Sequence, residues 1–177
     1  LIVSGGIRSG PDVAKALAMG ADAVSIGQGV LIALGCNHDS YWQDGAHHDA
    51  TADYAALGTA PGYCHHCHTG KCPVGITTQD AVLEQRLTPE VGARHLKNYL
   101  KTLNMELTTI ARACGKQNVH HLQREDLVAL TVEAAAMARC RVAGVGVLVL
   151  LALLAVPVDA GESPLTADVL RAGLRTA

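Results

Sequence analysis

Cys64, Cys67 and Cys72 stand in the run Cys64-His-His-Cys67-His-Thr-Gly-Lys-Cys72-Pro73, three thiols within nine residues. Thiolates spaced this closely can converge on one metal centre without the chain doubling back. A Cys-Pro that closes such a run suits ligation of an iron–sulfur cluster, the proline turning the chain away from the iron. A Cys-x2-Cys pair with interleaved histidines also suits zinc in a Cys3His site. The plain alternative is three free thiols in a loop. His65, His66 and His68 could hydrogen-bond to sulfur, but their ordinary reading is as partly exposed loop residues.

A second chemistry is written in glycines. Ser4-Gly5-Gly6 follows the apolar run Leu1-Ile-Val-Ser4, and Gly27-Gln28-Gly29 follows Ala23-Val-Ser-Ile26. Both runs read as buried parallel strands. Between them Ser9-Gly10-Pro11-Asp12 opens a helix with Val13, Ala14, Leu17 and Ala18 on its apolar face, ended by Gly20. Strand, helix and strand make a βαβ unit with a right-handed crossover. In a (β/α)8 barrel the loops after the last two strands commonly hold a phosphate. Glycine belongs there because a side chain would keep the backbone N–H groups from the anion. Ser4, Gly5, Gly6, Gly27 and Gln28 are therefore the candidate anion-binding residues, ordinary loop glycines being the alternative. Arg8 follows the first turn closely enough to approach a ligand, whereas Lys15 reads as a surface residue.

The rest of the chain positions these groups. Gly29 to Gly35 predicts a brief helix ending at Cys36. Residues 37–63 are polar and show no strong periodicity beyond Tyr54-Ala-Ala-Leu57, so a long functional loop is expected, with Asp39, Asp44, Asp49 and Asp53 solvated. Pro89 to Cys114 predicts one long amphipathic helix with Val91, Leu96, Leu100, Leu103, Leu107 and Ile110 on its apolar face and Gly115 as its cap. A further helix is expected from about Glu125 to Met137, with Leu127, Val128, Leu130 and Ala134 inward. Cys114 reads as a structural thiol, and His120-His121 as loop. After Arg139 the composition changes abruptly, and Val142 to Val158 is almost wholly apolar. That run lies at the lower edge of spanning length and lacks aromatic anchors, which favours a buried or aberrant tail over a membrane span. An altered reading frame after Arg139 would explain the shift. The chain thus divides into 1–36, 37–80, 81–139 and 140–177.

Composition excludes several classes. At 177 residues with net charge −2, the chain has no basic stripe for nucleic acid, and it has no phenylalanine for stacking bases. Six cysteines, three of them clustered, favour a reducing, cytoplasmic setting and metal ligation over disulfides. Opening in mid-strand on Leu1, the sequence reads as the carboxyl-terminal piece of a longer protein.

Three segments together carry a family resemblance. They are Ser4-Gly-Gly-Ile-Arg-Ser-Gly-Pro-Asp-Val-Ala-Lys-Ala-Leu-Ala-Met-Gly-Ala-Asp-Ala-Val-Ser-Ile-Gly27, Ala33-Leu-Gly-Cys36, and Cys67-His-Thr-Gly-Lys-Cys72-Pro-Val-Gly-Ile-Thr-Thr-Gln79. With them the chain resembles the carboxyl-terminal part of the FMN-binding domain of glutamate synthase, through to about Ala138. The resemblance implies an α/β fold, the last βαβ units of a (β/α)8 TIM barrel, followed by an iron–sulfur loop and helices. It implies FMN, with Gly5, Gly6 and Gly27 at its phosphate. It places Cys36, Cys67 and Cys72 as ligands of a three-iron cluster (3Fe-4S). Cys64 is additional, so a four-iron cluster (4Fe-4S) is open, and residues 37–63 separate Cys36 from the rest. The implied reaction is reductive transfer of glutamine-derived ammonia onto 2-oxoglutarate, giving glutamate, by an oxidoreductase acting on CH-NH2 donors. Implied partners are glutamine amidotransferase-type and electron-donor subunits or domains and small-molecule substrates, in an oligomer. Catalytic groups would lie on earlier barrel strands, so this chain alone is expected to be inactive. A non-catalytic zinc or iron–sulfur binding module is the competing reading.

Overall fold

The computed structural model describes residues 1–144. In chain order the regular elements are β1 (Ile2–Ser4), α1 (Gly10–Ala18), β2 (Ala23–Ser25), α2 (Gln28–Leu34), β3 (Ser40–Gln43), β4 (Ala46–Asp49), α3 (Thr51–Ala56), α4 (Pro89–Ala113), β5 (Val128–Ala129), α5 (Val132–Ala138) and β6 (Arg141–Val142). Short 3-10 turns at Cys67–Thr69, Glu84–Arg86, Val119–His121 and Arg124–Asp126 join them.

β1 and β2 pair in parallel, Ile2 opposite Ala23 and Ser4 opposite Ser25, with α1 as the crossover. Pro11 sits in the first turn of α1, where no intrahelical donor is needed. Beside it Asp12 accepts from the Arg8 backbone N–H and the Ser9 hydroxyl, each at 3.1 Å, and pairs with Lys15 at 3.2 Å. Burial pushes the Asp12 carboxyl up, but these donors outweigh it and hold it below the usual carboxylate range. A carboxylate favoured by the fold contributes stability above its unfolded pKa of about 3.9 and loses it as pH falls through the lower folded value. Asp12→Asn is therefore expected to flatten the acid limb of the stability profile below about pH 4, read by urea titration at several pH values. An identical acid limb in the variant would rule the contribution out.

The first core forms where α1 meets α4: Val13, Ala14, Leu17 and Ala18 pack on Leu107 and Ala111, closed by Leu122. Small residues let the two helices approach closely. At the crossing the Gly10 N–H donates to Glu106 Oε2 at 2.8 Å. A Cβ at Gly10 would stand 2.7 Å from both Leu103 O and Leu107 N, and against Glu106 Cβ. Gly10→Ala is thus expected to destabilise by about 1–3 kcal/mol through overpacking, despite alanine's better helix propensity. Urea unfolding of the variant checks this; an unchanged or raised stability would refute the close crossing. Gly115, at φ +74°, ends α4 as a left-handed cap.

Four expectations differ. The polar stretch 37–63 contains the β3–β4 hairpin, Trp42 opposite His47, and then α3. Its turn is Asp44-Gly45, both left-handed at φ 50° and 78°, the arrangement that two-residue hairpins demand. The helix expected over 125–137 is replaced by β5 and the shorter α5. Thr131 caps α5 by accepting from the Ala134 N–H at 3.2 Å, and residues 128–129 are taken by pairing with β6. Val128, Leu130 and Ala134 consequently face solvent instead of pointing inward, and Ala135 is the residue that α5 buries. Neither β1 nor β2 is buried: each alternates exposed, half-buried, exposed, and Leu1 and Ile2 are 74% and 71% exposed, because the two-stranded sheet has no layer on that side among the described residues. Asp53 is not a plain solvated acid, since it pairs with Arg86 at 2.7 Å. Apart from residues 142–144, the apolar run Val142 to Val158 lies outside the described residues, as does most of the segment tied to an altered frame.

Candidate functional site

α2 connects two groups of residues. With seven residues at a rise of about 1.5 Å each, it separates the glycine turn at its start from Cys36 at its end by roughly 10 Å.

At the start, the turns Ser4-Gly5-Gly6 and Gly27-Gln28 leave adjacent strand ends, because Ser4 and Ser25 are register partners. The Ser4 hydroxyl donates to Ser25 O at 3.4 Å across the pair. Gly5 and Gly6 lie at φ 102° and 69°, a conformation that favours glycine. A Cβ at Gly5, Gly6 or Gly27 would meet nothing within 4 Å, so this face is open. Gln28 opens the first turn of α2, whose leading N–H groups have no intrahelical partner. Tyr99 of α4 braces both turns: its hydroxyl donates to Arg8 O at 2.9 Å and lies where a Cβ on Gly29 would stand. Arg8 itself is largely exposed, with Asp12 at 4.0 Å.

At the end of α2, Gly35 turns left-handed at φ 114° and presents Cys36 to the loop that follows. Asn37, also left-handed, fastens that loop. Its Nδ2 donates to Cys64 O at 3.3 Å, its Oδ1 accepts from the Cys64 N–H at 2.8 Å, and Nδ2 lies 3.8 Å from Cys36 Sγ. The chain then passes through the Cys67–Thr69 turn to Cys72. Cys36, Cys64, Cys67 and Cys72 all line one small cavity, together with Tyr54 and Thr77. Its floor is a second core of Ala50, Tyr54, Cys72 and Val74.

The electrostatics register this gathering. Burial pushes the Cys36 thiol up, and charge at Cys67, Cys72 and Cys64 pushes it further. Burial also raises Cys72, but backbone N–H groups of Thr77, Val74 and Ile76 point at its sulfur and outweigh burial, leaving it below the ordinary thiol value. The Thr77 hydroxyl adds to that lowering from nearby without meeting the geometry of a hydrogen bond. Burial, and then charge at Cys64, Cys36 and Cys72, pushes the Tyr54 phenol up, with the Asn37 backbone N–H nearby pulling the other way.

Arg86 locks the Cys72-Pro73 corner in place. Its Nη1 donates to Pro73 O and to Asp53 Oδ2, each at 2.7 Å, and its guanidinium lies 4.7 Å from the Tyr41 ring centre. Gly75, at φ +77°, packs against Leu83 O and the Leu87 N–H, where a Cβ would not fit. His66 reaches the cavity, stacked on His65 at 4.6 Å, while His65 and His68 are exposed. Cys114 packs on the first core, away from the cavity.

Four thiols lining one cavity are a donor set whose chemistry suits an iron–sulfur cluster or zinc. Among the described residues no three Cys, His, Asp or Glu side chains come close enough to share one ion. The supporting residues Asn37, Tyr54, Thr77, Arg86 and Tyr99 were not among the sequence candidates. Only Asn37 carried a usable signal, directly following Cys36 as a residue that tolerates left-handed backbone.

A family described as "Conserved region in glutamate synthase" matches residues 1–41 and 45–117. The chain is 55% identical over 144 residues to a "Glutamate synthase large subunit-like protein" of Rhizobium meliloti, covering 81% of this chain and 30% of that protein. It is 36% identical over 148 residues to an "Archaeal-type glutamate synthase [NADPH]" of Dehalococcoides mccartyi, covering 81% and 25%. It is 37% identical over 123 residues to an "Archaeal glutamate synthase [NADPH]" of Methanocaldococcus jannaschii, covering 70% and 19%. The chain therefore spans 19–30% of the length of these relatives. No solved structure matches it.

Proposed function

The chain belongs to the glutamate synthase family, and from this we propose that it carries the flavin-phosphate end and the iron–sulfur loop of a glutamate-forming oxidoreductase. The observation that carries the reading is the convergence of Cys36, Cys64, Cys67 and Cys72 on one cavity, one short helix away from paired glycine turns.

In this reading FMN and a cluster, when bound, supply the interchange of paired and single electrons that reductive amino transfer to 2-oxoglutarate requires. The chain's own residues bind and position. Backbone N–H groups around Gly5, Gly6, Gly27 and Gln28, with the Ser4 hydroxyl beside them, would hold the phosphate on an open face. The four cysteines would supply thiolates, Cys72 already favoured in that form by its N–H donors. Asn37 and Arg86 fasten the backbone at the two ends of the loop, at Cys64 and Pro73.

β1, α1 and β2 are proposed as the last βαβ units of a (β/α)8 barrel, whose further strands would cover the exposed Leu1 and Ile2. The amino donor system and the electron donor are proposed as amidotransferase-type and redox partner subunits or domains, in an oligomer of the reducing cytoplasm. Two of the relatives are named for NADPH, which suits a nicotinamide-linked electron source. Among the described residues no helix is long and apolar enough to cross a membrane.

The test is anaerobic purification of the full-length protein with iron, acid-labile sulfide, zinc and FMN counted per chain. Three or four irons with matching sulfide and one FMN are expected. Zinc without flavin or sulfide would replace this reading with that of a non-catalytic metal module.

A further inference from the structure

Tyr54 and Thr77 each bury a hydroxyl that makes no hydrogen bond of ordinary geometry, and among the described residues these are the two buried side-chain polar atoms left so. The Asn37 N–H near the Tyr54 oxygen is itself a donor, and the Cys72 thiol near Thr77 is a weak acceptor, so neither O–H has a good acceptor. Both line the cysteine cavity. Tyr54 is 1% exposed, and its ring sits in the core with Ala50, Cys72 and Val74. Phenylalanine would fill that core equally well, so packing does not account for the hydroxyl. A buried hydroxyl without a partner is costly, and two of them on one small cavity point to something that accepts from both.

The thiols are weak acceptors, but sulfur carrying cluster charge is a good one. Resting on the cluster reading above, we infer that the Tyr54 and Thr77 hydroxyls donate hydrogen bonds to the sulfurs of a cluster held by Cys36, Cys64, Cys67 and Cys72, and thereby raise its reduction potential. The sign follows from charge. Reduction adds an electron, the sulfurs become more negative, and a fixed O–H donor favours the reduced form more than the oxidised one. Both hydroxyls are protonated at neutral pH and need no partner to prepare them. Thr77 is well placed for this, since its backbone N–H already points at the Cys72 sulfur. These are positioning residues: they act on the potential of the centre and touch no substrate.

The experiment is an EPR-monitored redox titration of the anaerobic full-length protein and its Tyr54→Phe, Thr77→Val and Thr77→Ser variants, with iron and sulfide counted for each. Tyr54→Phe is expected to keep the cluster and to lower the reduced-to-oxidised ratio about tenfold at fixed potential, a downward shift of about 59 mV for one electron. Thr77→Val should shift in the same direction, and Thr77→Ser should return towards the wild-type value. Pulsed EPR after exchange into D2O should lose one deuteron coupling in Tyr54→Phe. Intact clusters with unshifted potentials in both Tyr54→Phe and Thr77→Val would overturn the inference and leave the cluster reading standing. If Tyr54→Phe loses the cluster, Thr77→Val against Thr77→Ser decides alone. A wild-type protein without iron and sulfide would overturn both the inference and the reading beneath it.

Discussion

Replacing Cys72 with alanine is expected to strip the protein of iron and acid-labile sulfide, whereas Cys64→Ala should retain about three irons per chain. The two residues are eight positions apart in one loop, yet their surroundings differ. Cys72 is buried in the second core, and three backbone N–H groups aim at its sulfur. Cys64, by contrast, is fixed through its backbone by Asn37. It is also the cysteine that the three-ligand pattern leaves over. If the wild-type protein holds four irons, Cys64→Ala should convert the centre to a three-iron form; if it holds three, the count should not change. Total loss of iron in Cys64→Ala would make Cys64 indispensable and refute this division of roles. The direct measurement is iron and sulfide per chain with the EPR signal of each variant.

Arg86→Ala is expected to lower stability by about 2–4 kcal/mol and to reduce cluster occupancy, although its hydrogen bonds go to Pro73 O and Asp53 and not to a sulfur. Its guanidinium joins the Cys72-Pro73 corner to α3 through 2.7 Å bonds to Pro73 O and Asp53, and lies on the Tyr41 ring. Hydrogen bonds to a charged group contribute about 1.5–3 kcal/mol, and a cation over an aromatic ring about 0.5–1. The Asp53 pair is partly exposed and adds little through its charge, so the estimate rests on the Pro73 hydrogen bond and the ring contact alone. Truncation also leaves Pro73 O without its donor. Arg86→Lys should recover only part of the loss, because an ammonium cannot span carbonyl and carboxylate while lying flat on the ring. Urea unfolding and iron content are measured together. A variant as stable as wild type would show that the corner is held by other means, and full iron loading at reduced stability would show that the clamp serves the fold alone.

What could be read from the sequence was whatever the chain brings together locally. The cysteine run spans nine residues, so the chain itself keeps the thiols near one another. The glycine turns and α1 follow from strand, proline and glycine signals within a few positions, and β1, α1 and β2 form close to the expected boundaries. The Asp44-Gly45 hairpin was equally local. Its turn signal lies in the dipeptide, but it was masked by the polar character of the flanking strands, whose residues are mostly exposed. Local periodicity misled over 125–137, because Leu127, Val128 and Leu130 satisfy a helical spacing that strand pairing with Arg141 and Val142 then overrides.

The support of the site depends on contacts between distant residues. Asn37 meets Cys64 across 27 positions, Arg86 meets Asp53 across 33, and Tyr99 meets Arg8 across 91. Nothing in the neighbourhood of these residues marks them, since asparagine, arginine and tyrosine are ordinary surface types until another part of the chain arrives. The same holds for the two unpaired hydroxyls, whose burial is set by α3 and the Cys72 loop packing together. The sequence by itself determined which atoms could bind a cluster and a phosphate, because ligand chemistry resides in residue type and short spacing. Cys36, which the family resemblance already grouped with Cys67 and Cys72, lines one cavity with them across residues 37–63; only the tertiary structure decided which side chains hold them there, because those contacts exist only once the chain has closed its long loops.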